Sequence, residues 1–264
     1  RHQRHPPAAS AEQPRRQALT GDGKVRIRHP QVLEPEFLRQ ARTLGLQFFK
    51  IGTHVRSDSI IMAMQSLPTE VFGVATVREI DRSAIEDNGI PGYTLMTRAG
   101  EAAMRAARER YPAARRWQVF VGAGNNGGDG YDVARLAAQE GIVVSVLALV
   151  DPEKLEGDAA TAYSDFAAAG GVVTSWAGEL DTEADLLFDG ILGSGLERDV
   201  GGEFGKAVDA INAHAAPVVA LDMPTGISGD TGARLGRAVR ADVTVTFVGI
   251  KTGLFLLDAR DHCG

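Results

Sequence analysis

Short apolar runs that do not alternate with polar residues recur from residue 117 onward, each followed by a turn and a stretch of helical spacing, and few folds accommodate that rhythm. Residues 117–121, 143–150, 186–192, 217–221 and 243–248 read as strands, with helices expected over 131–140, 157–169 and 205–213. A strand that is apolar on both faces needs cover on both, and a parallel sheet flanked by crossover helices supplies it. The expected fold class is therefore α/β: a Rossmann-like, doubly wound, mostly parallel sheet with helices on both faces. No internal repeat interrupts the pattern.

Two helices are expected upstream of the first of these strands. Thr76 with Glu79 reads as a capping box opening a stripe of Val77, Ile80, Ala84 and Ile85 that ends at Asn88-Gly89. Residues 93–110 carry Leu95, Met96, Ala99, Ala102, Ala103 and Ala106 at helical spacing. The alanines allow close packing, either inside the chain or against a second copy as a homodimer.

Charge divides the chain unevenly. Residues 1–61 hold 11 Lys+Arg and 5 Asp+Glu (+6), leaving 17 and 29 (−12) for the rest, which sums to the overall −6. The first 61 residues read as a disordered extension, with a short helix over 33–49 and an organellar leader as a second reading of the Arg-rich start. Residues 62–264 read as one domain whose acidity argues against nucleic-acid partners. No apolar run approaches the roughly 18–20 residues of a membrane span. The single cysteine, Cys263, rules out an intramolecular disulfide and suits a reducing, cytoplasmic setting. His5, His54, His214 and His262 are scattered and read as surface or packing residues.

The first strand runs into Gly122-Ala123-Gly124-Asn125-Asn126-Gly127-Gly128-Asp129-Gly130. Glycines between a strand and a helix expose backbone N–H groups and the helix N-terminus to an anion, so a phosphate-bearing, nucleotide-like ligand is expected here. Gly122, Gly124 and Gly127 satisfy G-x-G-x-x-G, a spacing that a purely structural tight turn also satisfies. Asp151, at the end of the next strand, stands where dinucleotide-binding proteins hold a ribose, which favours an NAD(P)-dependent oxidoreductase as an alternative. Asp129 argues against a plain phosphate cradle, because a carboxylate there competes for the same positive end of the helix dipole. It suits a hydroxyl, a cation or a reacting group. Asn125 and Asn126 both donate and accept, which matches a sugar or a nicotinamide amide.

Two further strand ends carry carboxylates beside glycine turns. Asp189 precedes Gly193-Ser194-Gly195-Leu196, and Asp222 precedes Met223-Pro224-Thr225-Gly226. Either Asp alone reads equally as a turn cap. Three such loops at the carboxyl ends of strands, where open α/β sheets bind ligands, point to one site.

Gly124-Asn125-Asn126-Gly127-Gly128-Asp129-Gly130, Asp189-Gly190-Ile191-Leu192-Gly193-Ser194-Gly195 and Leu221-Asp222-Met223-Pro224-Thr225-Gly226, in this order, resemble the NAD(P)H-hydrate epimerase family, also called the YjeF N-terminal domain. The resemblance covers residues 75–264. It implies a substrate of hydrated NADH or NADPH, with a hydroxyl on C6 of the reduced ring, whose R and S epimers are interconverted. It also implies substrate contacts at Asn125, Asn126, Gly127, Gly128, Asp129, Gly193, Ser194, Gly195, Leu196, Glu197, Arg198, Asp199 and Asp222. One potassium ion per subunit is implied at Asn126, Asp189 and Thr225. The last is commonly Ser in the family, and Thr adds a methyl; all three are hard oxygen ligands. Lys251-Thr252-Gly253-Leu254-Phe255 with Ala259-Arg260-Asp261 resembles the junction into an ATP- or ADP-dependent dehydratase domain, which implies such a domain or partner acting on the S form.

Inverting C6 without net redox means breaking and remaking its bond to oxygen. The ring nitrogen's lone pair expels the hydroxyl once an acid protonates it, and water returns on the other face as a base takes its proton. Asp222 is the first candidate for acid or base and Asp129 the second. The oxidoreductase alternative lacks a Tyr-x-x-x-Lys pair beside the glycine loop. A non-catalytic interaction scaffold, a use of the same fold in RNA-decapping proteins, is the third reading, and the Asn and Asp residues speak against it.

Overall fold

The computed structural model describes Val25–Arg26, Phe49–Ile51 and residues 70–264. The expected disorder of residues 1–61 and the expected helix over 33–49 lie outside the described residues, except that strands β1 (Val25–Arg26) and β2 (Phe49–Ile51) fall within them. β1 pairs antiparallel with β3 (Glu70–Val71) as a separate two-stranded ribbon.

From there the chain runs through helices α1 (Val74–Glu86) and α2 (Gly92–Arg110), then β4 (Arg116–Val121), α3 (Asn125–Gln139) and β5 (Val143–Ala148). Next come α4 (Gly157–Ala168), β6 (Val173–Ser175), β7 (Leu186–Gly190), α5 (Gly202–Ala213), β8 (Val218–Leu221) and β9 (Val243–Thr246). The sheet order is β2-β9-β8-β7-β4-β5-β6, parallel throughout except for β2 on the β9 edge. Its six parallel strands have the doubly wound order, in which β4 and β7 are neighbours although the chain winds outward from them in opposite directions. A crevice opens between such strands at their carboxyl ends.

Both faces are buried, as the apolar runs require. Trp117, Val119 and Val121 of β4 pack with α2, α3 and α4 on one face, while Phe120 joins Leu187 and the α5 residues Ala207, Val208 and Ile211 on the other. A third cluster, including Met223, Ile227, Leu254 and Cys263, seals the sheet end where the chain folds back. The alanine face of α2 is spent here: Ala103 and Ala107 are fully buried in the same cluster as α3 residues, so that face is not available to a second copy.

Three expectations change. The helix expected from residue 131 begins at Asn125, so Gly127, Gly128 and Gly130 lie within a helix despite a propensity penalty of about 1 kcal/mol each. Close approach explains it: a Cβ on Gly127 would overlap the Gly122 carbonyl oxygen, and one on Gly128 would overlap the Met96 side chain. α1 begins at Val74 without a side-chain cap of its own. Asp230, far along the chain, accepts the Val74 N–H at 2.7 Å, while Glu79 pairs with Arg82 instead of closing a capping box. β6 escaped the sequence reading because its three residues include the polar Thr174 and Ser175 at a sheet edge.

If backbone contact rather than turn formation selects these glycines, Gly127→Ala should destabilise the fold by about 1–3 kcal/mol. Gly124→Ala, with open space around its Cβ position, should change stability by less than about 1 kcal/mol. Urea unfolding midpoints of the two variants compare the effects directly.

Candidate active site

The switch-point crevice holds a cavity of about 780 Å³, within the range of small-molecule sites. Its floor comes from Gly124, Asn125, Asn126 and Asp129 of the β4–α3 segment and from Ile191 to Arg198 after β7. Asp222 after β8 and Phe247, Val248 and Lys251 after β9 form one wall, and α1 closes another through Val77, Arg78, Asp81 and Ile85. No side chain caps α3, so its first N–H groups lie at the cavity with the positive end of the helix dipole. Across the mouth, Arg78 and Glu197 approach to 4.0 Å, and both are largely exposed.

Asp222 is the most constrained residue of the site. Its φ is 63°, and the Met223 N–H reaches back to the Leu221 carbonyl at 2.8 Å, closing a γ-turn of the strained positive-φ kind. The neighbouring strand repeats the arrangement: Val248 has φ 65°, and the Gly249 N–H donates to the Phe247 carbonyl at 2.7 Å. A β-branched residue at positive φ is a true outlier, and strain of about 1–3 kcal/mol at each such residue gathers where the surroundings over-determine it. Here the surroundings are charged. The buried Lys251 ammonium donates to Asp222 Oδ1, to Thr246 Oγ1 at 3.0 Å and to the Phe247 carbonyl at 2.7 Å. The Ser194 N–H donates to Asp222 Oδ2 at 2.8 Å. A Cβ on Gly193 would stand 2.8 Å from that same oxygen, so the glycine clears space for the carboxylate. Burial pushes the Asp222 carboxyl up, yet Lys251 and Ser194 outweigh it and hold the group below the ordinary carboxylate range.

Asp129 has the opposite environment. Burial first, then repulsion from Asp222 and Asp132, raises its carboxyl well above the usual value. Asp81 on α1 is also raised, by burial and by Asp158 of α4. Two carboxyls on one cavity are thus driven apart, one toward the anion and one toward the acid, the pattern that separates a base from an acid.

Below the cavity floor, Asp189 is fully buried and accepts from the Thr225 hydroxyl and N–H, each at 2.7 Å, and from the Ile191 N–H at 3.2 Å. Burial raises its carboxyl to about 6 even so. The Asn126 side chain is buried with both amide atoms lacking a hydrogen-bond partner. An unsatisfied amide oxygen, a carboxylate and a hydroxyl are hard donors that suit a cation.

Of the residues singled out from sequence, Asn125, Asn126, Asp129, Gly193, Ser194, Gly195, Leu196, Glu197, Arg198 and Asp222 line the cavity together. Gly127 and Gly128 do not; Gly127 faces the Gly122 backbone just after β4, and Gly128 faces Met96 of α2. Asp199 is exposed and outside the lining. Asp151 is no ribose ligand by position: it is exposed, accepts the Glu153 N–H at 3.2 Å and caps a short turn away from the cavity. His214 and His262 bond backbone carbonyls, in keeping with packing. Sequence reasoning missed Lys251 as a site residue, together with Asp81 and Asp158. Lys251 carried a signal, being the only charged residue between Val243 and Leu257.

The family described as YjeF-related protein N-terminus matches residues 92–253. The NAD(P)H-hydrate epimerase of Limosilactobacillus fermentum is 39% identical over 201 residues, covering 74% of this chain and 93% of that protein. The bifunctional NAD(P)H-hydrate repair enzyme Nnr of Escherichia coli is 41% identical over 199 residues, 75% of this chain but 39% of its own length. The chain thus spans about two fifths of the bifunctional relative. The crystal structure of a yeast protein, ynu0 (YNL200c), matches with a TM-score of 0.59 and 22% identity, covering 65% of this chain and 77% of its own, a likeness of fold.

The buried state of Asp189 has a measurable consequence. Its folded value of about 6 lies above the ordinary 3.8, so the folded protein binds more protons between these values and stability falls as pH rises through that window, by on the order of 3 kcal/mol. In Asp189→Asn this contribution disappears. The difference in urea unfolding free energy between wild type and variant, followed from pH 4 to pH 7, should slope accordingly; a flat difference would show that Asp189 titrates normally.

Proposed function

The chain belongs to the family of YjeF-related protein N-termini, and from that membership and the geometry of its cavity we propose that it interconverts the R and S forms of hydrated NADH and NADPH. One observation carries the reading: Asp129 and Asp222 line a single cavity at the switch point of the sheet, and their surroundings favour opposite protonation states. The uncapped start of α3, with Arg78 and Arg198 at the mouth, suits the substrate's phosphates. The reduced ring then lies deeper, between the two carboxyls.

Asp129, as the acid, protonates the C6 hydroxyl, and the ring nitrogen's lone pair expels it as water. A water on the opposite face adds to C6 and gives its proton to Asp222. The bond broken and the bond made are both C6–O, so redox state is unchanged, and the proton gained by Asp222 and lost by Asp129 is exchanged with solvent before the next turnover. Asp222 therefore takes the part of base and Asp129 that of acid, a division of labour that residue types alone left open.

Asn126, Asp189 and Thr225 would hold a potassium ion, which supplies a positive charge that favours the ionised Asp189 and satisfies the orphaned Asn126 amide oxygen. The enzyme that removes water from the S epimer is assigned to a further domain or a separate partner, in line with the bifunctional naming of the Escherichia coli relative. The oxidoreductase alternative loses its main support with Asp151 outside the cavity lining. Among the described residues no helix is long and apolar enough to cross a membrane.

The test is an assay with R-enriched hydrated NADPH coupled to an S-specific dehydratase. Epimerisation should be faster with potassium than with a bulky organic cation. Asp222→Asn should keep substrate affinity within about threefold and slow turnover by about 10²–10⁴-fold. Unchanged turnover in that variant would remove Asp222 from the chemistry.

A further inference from the structure

A lysine side chain that is 1% exposed and points at a catalytic carboxylate has two possible uses. It can touch the substrate or it can hold the carboxylate. Lys251 has three N–H groups, and the structure supplies three acceptors within the protein: Asp222 Oδ1, Thr246 Oγ1 and the Phe247 carbonyl. None remains to donate to a ligand. Two of the acceptors belong to the end of β9, and the strained turn at Val248 orients the Phe247 carbonyl that receives one of the bonds. Asp222 is fixed from the other side by its N–H to the Val245 carbonyl at 2.8 Å and by the Ser194 N–H.

We propose that Lys251 is a positioning residue, which holds the Asp222 carboxylate in place as the proton acceptor through the paired turns at the ends of β8 and β9 and does not itself contact the substrate. This inference rests on the assignment of Asp222 as the base in the proposed epimerisation. The other charged groups facing Asp222 do not replace Lys251. Asp129 of α3 and Asp81 of α1 repel it, and Asp158 of α4 adds to the negative charge around Asp81. Arg78 and Arg198 stand at the cavity mouth with Glu197 beside them. Lys251 is therefore the cation in direct contact with the carboxylate, and its charge also agrees with the low-lying titration of Asp222.

Removal of the ammonium leaves Asp222 buried among like charges, so the pH at which it gains a proton must rise. In Lys251→Met the acidic limb of the kcat/KM profile should move up by at least one pH unit while KM at high pH stays within threefold of wild type. An unmoved acidic limb with a lower kcat, or a KM raised more than tenfold with the profile unchanged, overturns the proposal in favour of a structural or a substrate-binding lysine. Should Lys251→Met fail to fold, Lys251→Gln keeps a hydrogen-bond donor at the position and removes only the charge. The carbon-13 carboxyl signal of Asp222, identified by its loss in Asp222→Asn, should then titrate at a higher pH than in wild type; no change overturns the proposal. That measurement needs no turnover. If the wild type fails to epimerise the hydrate, the proposed function falls, while the carboxyl titration still decides whether Lys251 governs Asp222.

Discussion

The approach of α3 to the end of β4 decides the placement of nearly everything else. Helix and strand meet at Gly122 and Gly127, where a methyl group on the helix would collide with the backbone of the loop it springs from. Gly128 and Gly130 extend the contact to Met96 and Val121. With the helix seated so low, its first turns reach the switch point itself. Asn126 then lies close to the turn after β7, and Asp129 faces the cavity rather than solvent. The same glycines that a ligand-centred reading assigns to phosphate recognition thus serve first to bring a carboxyl and an amide within reach of one. In the proposed function, phosphate recognition falls to the N–H groups at the helix start.

The electrostatics follow from that geometry. Asp81, Asp129, Asp158 and Asp222 surround one cavity, with Lys251 as the fully buried cation against them. Burial disfavours the charge on Asp81, Asp129 and Asp222, and of these three the carboxylate that the lysine touches is the one held below its ordinary range. The lysine touches Asp222. Asp129 is left to the effects of burial and repulsion, so a single ion pair favours opposite protonation states in two chemically identical side chains.

The sheet was legible because its evidence is redundant: five apolar runs each announce a strand, and any two errors of boundary leave the strand order's logic intact. The carboxylates at strand ends were legible for the same reason, since topology alone brings the ends of β4, β7 and β8 together. What escaped was whatever depended on tertiary contact. The start of α3 was hidden because local propensity reads Gly127 and Gly128 as loop, and only the facing backbone reveals why they are helical. The cap of α1 was hidden because its acceptor, Asp230, lies 156 residues away along the chain. Lys251 stands in sequence only as part of a junction motif, although a lone charge in an apolar stretch must find a buried partner. Its partner lies on the neighbouring strand, a pairing that one-dimensional spacing does not display.

α1 precedes the strands of the parallel core, and it lies outside residues 92–253 that match the family. Nevertheless it supplies a wall of the cavity and carries Asp81 and Arg78 to its edge. It is held there by Asp230, on the loop that follows Asp222 and Thr225. The stretch that matches the family and the stretch that lines the cavity are therefore not the same length. A boundary drawn where the recognisable sheet begins would retain Asp129, Asp222 and Lys251 but lose Asp81 and Arg78, and turn a walled chamber into an open trough, weakening the burial that holds Asp129 toward its protonated form.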